Sequence, residues 1–311
     1  MSNGNDNESM DLVRAALAAP APIIPPQAET DAEVVSLWLK SKKSELSRLA
    51  YMRDWFRFHN FCPLPLNRIG IAQLQEFAEE LKRRALSDAS IRRMVGSIKS
   101  LITFAYRIGY VQFNPGAAVA LPTAHSNVTK RILTEEQVFK LINSCYSKRD
   151  NLILRLFYLT GARRAELRGA RWGDLAARPK VKEDAPEIGQ ITLTGKGNKQ
   201  RTVLIPHGTW TALKEFRDSN DRDEDYIFRS GDDAPLDNVT YWRIVRKAGK
   251  AIDQPGISPH WLRHSHASHA LDRKCSLQLI SETLGHSSIV ATSVYLHGRP
   301  EDSSSLYLAV D

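Results

Sequence analysis

Between Asp31 and Ala120 apolar positions return every three or four residues, the spacing of helices that bury one stripe and leave the rest to water. Val34, Val35 and Leu37 mark a short helix over 33–42, and Leu46, Leu49, Met52 and Phe56 form one stripe on a second over 45–59. Ile71, Leu74, Phe77 and Leu81 repeat in the same way, as do Ile91, Met94, Ile98, Leu101 and Ala105. Pro63, Pro65, the Ser87-Asp88 start signal and Asn114-Pro115-Gly116 punctuate them. The pattern predicts a four-helix bundle over 31–120 with no strand in it.

The periodicity then changes. Residues 121–131, LPTAHSNVTKR, are polar and aperiodic, which predicts an interdomain linker, and the polar, then alanine- and proline-rich residues 1–30 predict a disordered tail. A second domain follows over 132–311. Thr134 is placed to cap a helix whose first turn is acidic, and an apolar helix over Asn151 to Leu159 stops at Thr160-Gly161. That stop delivers Arg163 near the N-terminus of the next helix, where free backbone donors favour an anion. Gln190–Thr194 and Thr202–Ile205 read as strands joined by Gly195-Lys196-Gly197-Asn198, with Lys196 at the hairpin tip. Further helices are expected over Thr209–Arg217, Asp237–Ile252, 259–271 and Ser276–Leu284, with Tyr295 on a short helix over Thr292–Leu296. The fold class is mainly α with a small β-sheet.

Composition adds direction. A chain of 311 residues, 42% hydrophobic and 25% charged, suits two globular domains. No apolar run has the length of a membrane span, and the first 30 residues carry four acids against one arginine, unlike a secretory signal, so a cytoplasmic protein is expected. Cys62, Cys145 and Cys275 lie too far apart for a zinc ribbon or a disulfide framework. The net charge of +8 is uneven: −3 over 1–30, +6 over 31–120 and +5 over 121–311. Basic charge on two successive folded segments is what a phosphate-backbone binder needs, since each neutralised phosphate releases counterions.

Chemistry concentrates between Ser258 and Tyr295. His260 and Arg263 stand one helical turn apart with His264 next to them, Leu284-Gly285-His286 follows, and Tyr295 comes nine residues after His286. Guanidinium groups offer phosphate a rigid fork of donors, imidazoles exchange protons near neutral pH, and a tyrosine hydroxyl can serve as a covalent nucleophile. A zinc site would need the glutamate of HExxH, and HWLRH lacks it; a P-loop would need Ser or Thr after Lys196 and a helix beyond. Glu166 reads as a structural partner, and His266 and His269 as packing or interface residues.

Together with Thr160-Gly161-Ala162-Arg163-Arg164-Ala165-Glu166-Leu167 and Gly195-Lys196-Gly197-Asn198-Lys199-Gln200-Arg201, these pieces resemble, in order, the motifs of the tyrosine recombinase (phage integrase) family, Xer-like in layout. The resemblance implies a SAM-like core-binding bundle that clamps DNA, followed by a mixed α+β catalytic domain. It implies that Tyr295 attacks a phosphodiester to leave a 3′-phosphotyrosine, with Arg163 and Arg263 on the non-bridging oxygens and Lys196 protonating the leaving 5′-oxygen. His260 would help deprotonate the tyrosine or the attacking hydroxyl, and His286 would donate to a phosphate oxygen. No cofactor is implied. Expected partners are double-stranded DNA with inverted-repeat core sites and three further protomers, as a tetramer on paired sites, for integration, excision or resolution. Phosphate contacts are expected from Arg48, Arg92, Arg93 and Lys99 on the bundle and from Lys199 and Arg201 on the hairpin. With no separate arm-binding segment ahead of the bundle, simple core-site recombination is expected. The segment around Leu306, Tyr307 and Leu308 is expected to dock in cis or on a neighbour. Alternatives are a topoisomerase-like nicking-closing enzyme, a non-catalytic DNA-binding regulator on the same fold and a metal-dependent hydrolase.

Overall fold

The computed structural model describes residues 27–122, 128–179, 182–195, 197–231, 233–286, 290–293 and 295. Most of the expected tail, the middle of the expected linker, Lys196 and the segment from 296 onward lie outside these residues. The chain divides into two compact units, with the break between His125 and Ser126.

The first unit, which has no strand among its described residues, contains α1 (Asp31–Lys40), α2 (Glu45–Phe61), α3 (Ile71–Arg83) and α4 (Asp88–Arg107). Hydroxyls of Thr30, Ser44 and Ser87 cap α1, α2 and α4 by accepting from backbone N–H groups of the first turn. Residues 27–30, expected in the disordered tail, instead belong to the bundle. Ala28 is buried, Thr30 caps α1, and the Gln27 N–H reaches the Ile108 carbonyl at 3.4 Å. The core gathers Trp38, Phe58, Leu74, Phe77, Ile98 and Leu101, with Phe58 and Phe77 meeting edge to face at 5.1 Å. One expectation fails here. Leu46 is 78% and Phe56 54% exposed, and α2 turns Trp55 and Phe58 inward. The helix carries two apolar stripes, and burying the one with indole and phenyl rings removes more apolar surface from water.

The second unit contains α5 (Glu135–Asn143), α6 (Lys148–Thr160), α7 (Arg164–Gly169), β1 (Leu175–Ala177), β2 (Gly189–Thr194), β3 (Gln200–Ile205), α8 (His207–Phe216) and α9 (Asn238–Gly249). It ends, among the described residues, with α10 (Pro259–Asp272), α11 (Leu277–Leu284) and α12 (Val290–Ser293). Thr134 caps α5 in a reciprocal box with Gln137. The strands form one antiparallel sheet in the order β1-β2-β3, with Leu193 opposite Arg201 and Leu175 opposite Ile191. Strand β1 was not expected, because Leu-Ala-Ala carries neither alternation nor length. Leu154, Phe157, Ile191, Leu193, Tyr241 and Leu262 lie in the main core. A smaller cluster of Ala267, Leu271, Ile280, Leu284 and Tyr295 packs the tyrosine ring against α10 and α11.

Candidate active site

Helix α6 ends because Gly161 adopts a left-handed conformation (φ 57°), and a Cβ there would come within 2.3 Å of Leu284. The turn frees the Gly161 carbonyl and brings Arg163 to the cap position of α7. Glu166 accepts from the Arg163 backbone at 2.7 Å, from the Arg163 guanidinium at 2.8 Å and from Arg201 on β3 at 2.7 Å. Burial alone would raise the Glu166 pKa, but hydrogen bonds from Arg201 and Arg163 outweigh it and hold the carboxyl below its ordinary value. The expected structural role of Glu166 is therefore what its contacts describe. Arg163 also approaches the Gly285 carbonyl at 3.3 Å, and Arg201 donates to the Thr283 carbonyl at 2.7 Å.

Arg263, only 4% exposed, donates to the carbonyls of Gly161 at 2.5 Å and Leu284 at 2.7 Å. Burial, with Arg163 and Arg201 nearby, lowers its pKa to about 10, which leaves it a cation at neutral pH. Two carbonyls occupy two of its five N–H groups; the remainder can meet an anion. Helix α11 stops at Gly285, again left-handed (φ 62°), and His286 follows with Nδ1 2.7 Å from the Thr292 hydroxyl. Burial, reinforced by Arg263, Arg163 and Arg201, brings His286 down to about 4. His260 is exposed one turn ahead of His264; crowding around its ring, then the charges of Arg263 and Arg163, lower its pKa.

Tyr295 is 5% exposed, and its hydroxyl lies 2.7 Å from Nδ1 of His264. Burial raises the pKa of the phenol, and Arg263 is near enough to pull it the other way. Arg163, Arg263, His286 and Tyr295 are thus gathered on the α6–α7 turn, α10 and the end of α11. Lys196 lies outside the described residues, although its neighbour Gly195 sits where a Cβ would be 3.0 Å from Glu166. His264, four residues after His260, shares the face of His260 and Arg263 in the sequence reading without a role of its own; no group of three metal-ligating side chains occurs among the described residues.

The expected phosphate contacts fare unevenly. Arg201 donates inside the protein to Glu166 and to the Thr283 carbonyl. Arg93 pairs with buried Asp54 at 2.5 and 2.9 Å. Arg48, Arg92 and Lys99 donate to the carbonyls of Lys42, Pro122 and Val119, and Lys199 is exposed. No helix among the described residues is long and apolar enough to cross a membrane.

Clustered cations beside a buried phenol, on this mainly helical fold with one small sheet, are the groups that phosphoryl transfer with a tyrosine nucleophile requires. Residues 131–302 match the phage integrase family and residues 35–109 the phage integrase N-terminal SAM-like domain. The chain belongs to the phage integrase family; it is a tyrosine recombinase, an enzyme of site-specific DNA recombination. The tyrosine recombinase XerC of Xanthomonas campestris pv. campestris (strain B100) is 32% identical over 233 residues, 73% of this chain and 69% of that protein. XerC of Thermodesulfovibrio yellowstonii is 29% identical over 276 residues, 83% and 88% of the two chains. Among solved structures, XerH recombinase bound to palindromic difH substrate shares the fold with a TM-score of 0.67 at 20% identity, covering 87% of this chain and 82% of that one. A lambda integrase dimer bound to a COC′ core site does so at 0.67 and 18%, covering 91% and 100%.

Proposed function

We propose that this chain cuts and rejoins DNA strands at paired inverted-repeat core sites, with Tyr295 as the nucleophile and a 3′-phosphotyrosine as the stored bond. Arg163 and Arg263 hold the non-bridging oxygens. Arg263 is tied to the carbonyls of Gly161 and Leu284, and Arg163 to Glu166 and the Gly285 carbonyl, so their charge is in place before the congested phosphorus forms. Lys196 protonates the departing 5′-oxygen, His260 assists proton removal from the tyrosine or the attacking hydroxyl, and His286 donates to a phosphate oxygen. The helical unit over 31–120 serves as the DNA clamp, the unit over 132–311 carries the chemistry, and four protomers assemble on two sites in the cytoplasm. No metal is needed.

The observation that carries this reading is that buried Tyr295 packs on α10, the helix that carries Arg263, with its hydroxyl 2.7 Å from Nδ1 of His264. The experiment is adduct trapping on a nicked suicide duplex in EDTA. Wild-type protein becomes covalently attached; Tyr295→Phe binds the duplex with unchanged affinity and forms no adduct. An adduct on the variant would show that another residue attacks.

A further inference from the structure

Four other imidazoles of the second unit are tied to groups away from the tyrosine. His266 Nδ1 meets the Tyr158 carbonyl at 2.8 Å, and His269 meets the Leu133 carbonyl at 2.8 Å and the Tyr158 hydroxyl at 2.9 Å. His286 is held by Thr292, and His207 lies 2.8 Å from the Glu187 carbonyl. Within this set His264 alone has a ring nitrogen on the Tyr295 oxygen, at 2.7 Å, with the rings tilted by 52°. The sequence reading gave His260 a share in deprotonating the tyrosine. His260 stands one turn ahead on the same helix, and the hydrogen bond is made by its neighbour.

We propose that His264 is the group that takes the Tyr295 proton during strand cleavage and returns it during rejoining. This rests on the reading of Tyr295 as nucleophile. In the forward step the O–H bond breaks and its proton passes to the Nδ1 lone pair. The phenolic oxygen bonds to phosphorus, the P–O5′ bond breaks, and the 5′-oxygen receives a proton from Lys196. Rejoining runs the same steps backward, with imidazolium returning its proton to the departing phenolate.

The surroundings of His264 gate this transfer. It faces His260 and Arg263 from its own helix, Arg131 from the turn ahead of α5, His286 from the loop after α11, and Tyr295 itself. Burial and these groups lower its pKa to about 4, so the ring is neutral at physiological pH and one of its nitrogens carries a free lone pair. Burial is the larger cause and persists when DNA binds; a phosphodiester held by Arg263 offsets that cation's share of the field, so His264 gains basicity when DNA is present.

The test is single-turnover adduct formation on the nicked duplex across pH, with wild type, His264→Asn and Tyr295→Phe. His264→Asn should bind DNA as wild type does and form adduct more slowly at neutral pH by about 10²-fold or more. Its rate should keep climbing about tenfold per pH unit as hydroxide supplies the phenolate, while the wild-type rate flattens. If His264→Asn attacks within about threefold of wild type at neutral pH while Tyr295→Phe forms no adduct, the proposal is overturned and the nucleophile stands. An adduct on Tyr295→Phe overturns both. Should His264→Asn fail to fold, the ¹⁵N signals of the wild-type imidazole decide. A bare Nδ1 with hydrogen on Nε2 supports the proposal, and hydrogen on Nδ1 overturns it.

Discussion

In the helical unit, the described carboxylate most fully taken out of water, Asp54, meets a guanidinium whose far side still faces solvent. In the second unit Glu166 and Arg263 are both buried, and each is surrounded by partners that are themselves fixed: backbone carbonyls for the arginine, two guanidiniums and a backbone amide for the glutamate. A surface that only has to meet a phosphate backbone can leave its cations hydrated, since screening and counterion release do the rest. A site that must stabilise a transient charge needs its cations desolvated and held in advance, and the carbonyls on either side of Arg263 hold it so.

The comparison can be broken at its strongest point first. Arg263→Ala should reduce adduct formation by about 10³-fold, measured in single turnover. Arg263→Lys should not restore it, because a single ammonium cannot span two carbonyls and still offer a fork to phosphate. Retained cleavage within tenfold would mean that burial of this cation serves packing alone.

Next comes Glu166→Gln, which leaves Arg201 and Arg163 without a counter-charge and should cost about 3 kcal/mol in urea unfolding. The pH dependence has a definite sign. The folded carboxyl titrates below its ordinary value of 4.5, so its contribution is complete above that value and is lost as pH falls through the lower folded one. The glutamine variant should lack that acid-side loss. Arg93→Ala in the helical unit exposes Asp54 to the same kind of imbalance, but half of that guanidinium already faces water. A smaller loss of about 1–2 kcal/mol is expected. Smallest of all is Phe56→Ser on the outward stripe of α2, which should change the unfolding free energy by less than about 0.5 kcal/mol. A large loss there would show that the stripe is covered.

Much of this architecture can be read without coordinates, because capped helices with a single apolar stripe leave little choice. Thr134, Gly161 and Gly285 mark their boundaries by chemistry that local sequence carries. Helix α2 shows where such reading stops: Leu46, Leu49 and Phe56 have the same spacing as Trp55 and Phe58, and only the space offered by α3 and α4 decides which set turns inward. The motif residues Arg163, Arg263, His286 and Tyr295 were legible through resemblance. Their supports were not, since Arg201 meets a glutamate 35 positions away and His264 a tyrosine 31 positions away. No periodicity encodes either pairing.

The triple contact of Glu166 has a mechanical side. One of its oxygens takes Arg201, rooted in the strand that returns from the hairpin, and Arg201 in turn grips the carbonyl two residues ahead of Gly285. Strand β3 is thereby latched to the α6–α7 turn through one carboxylate and to the end of α11 through one carbonyl, so loss of the Arg201 side chain would untie both at once.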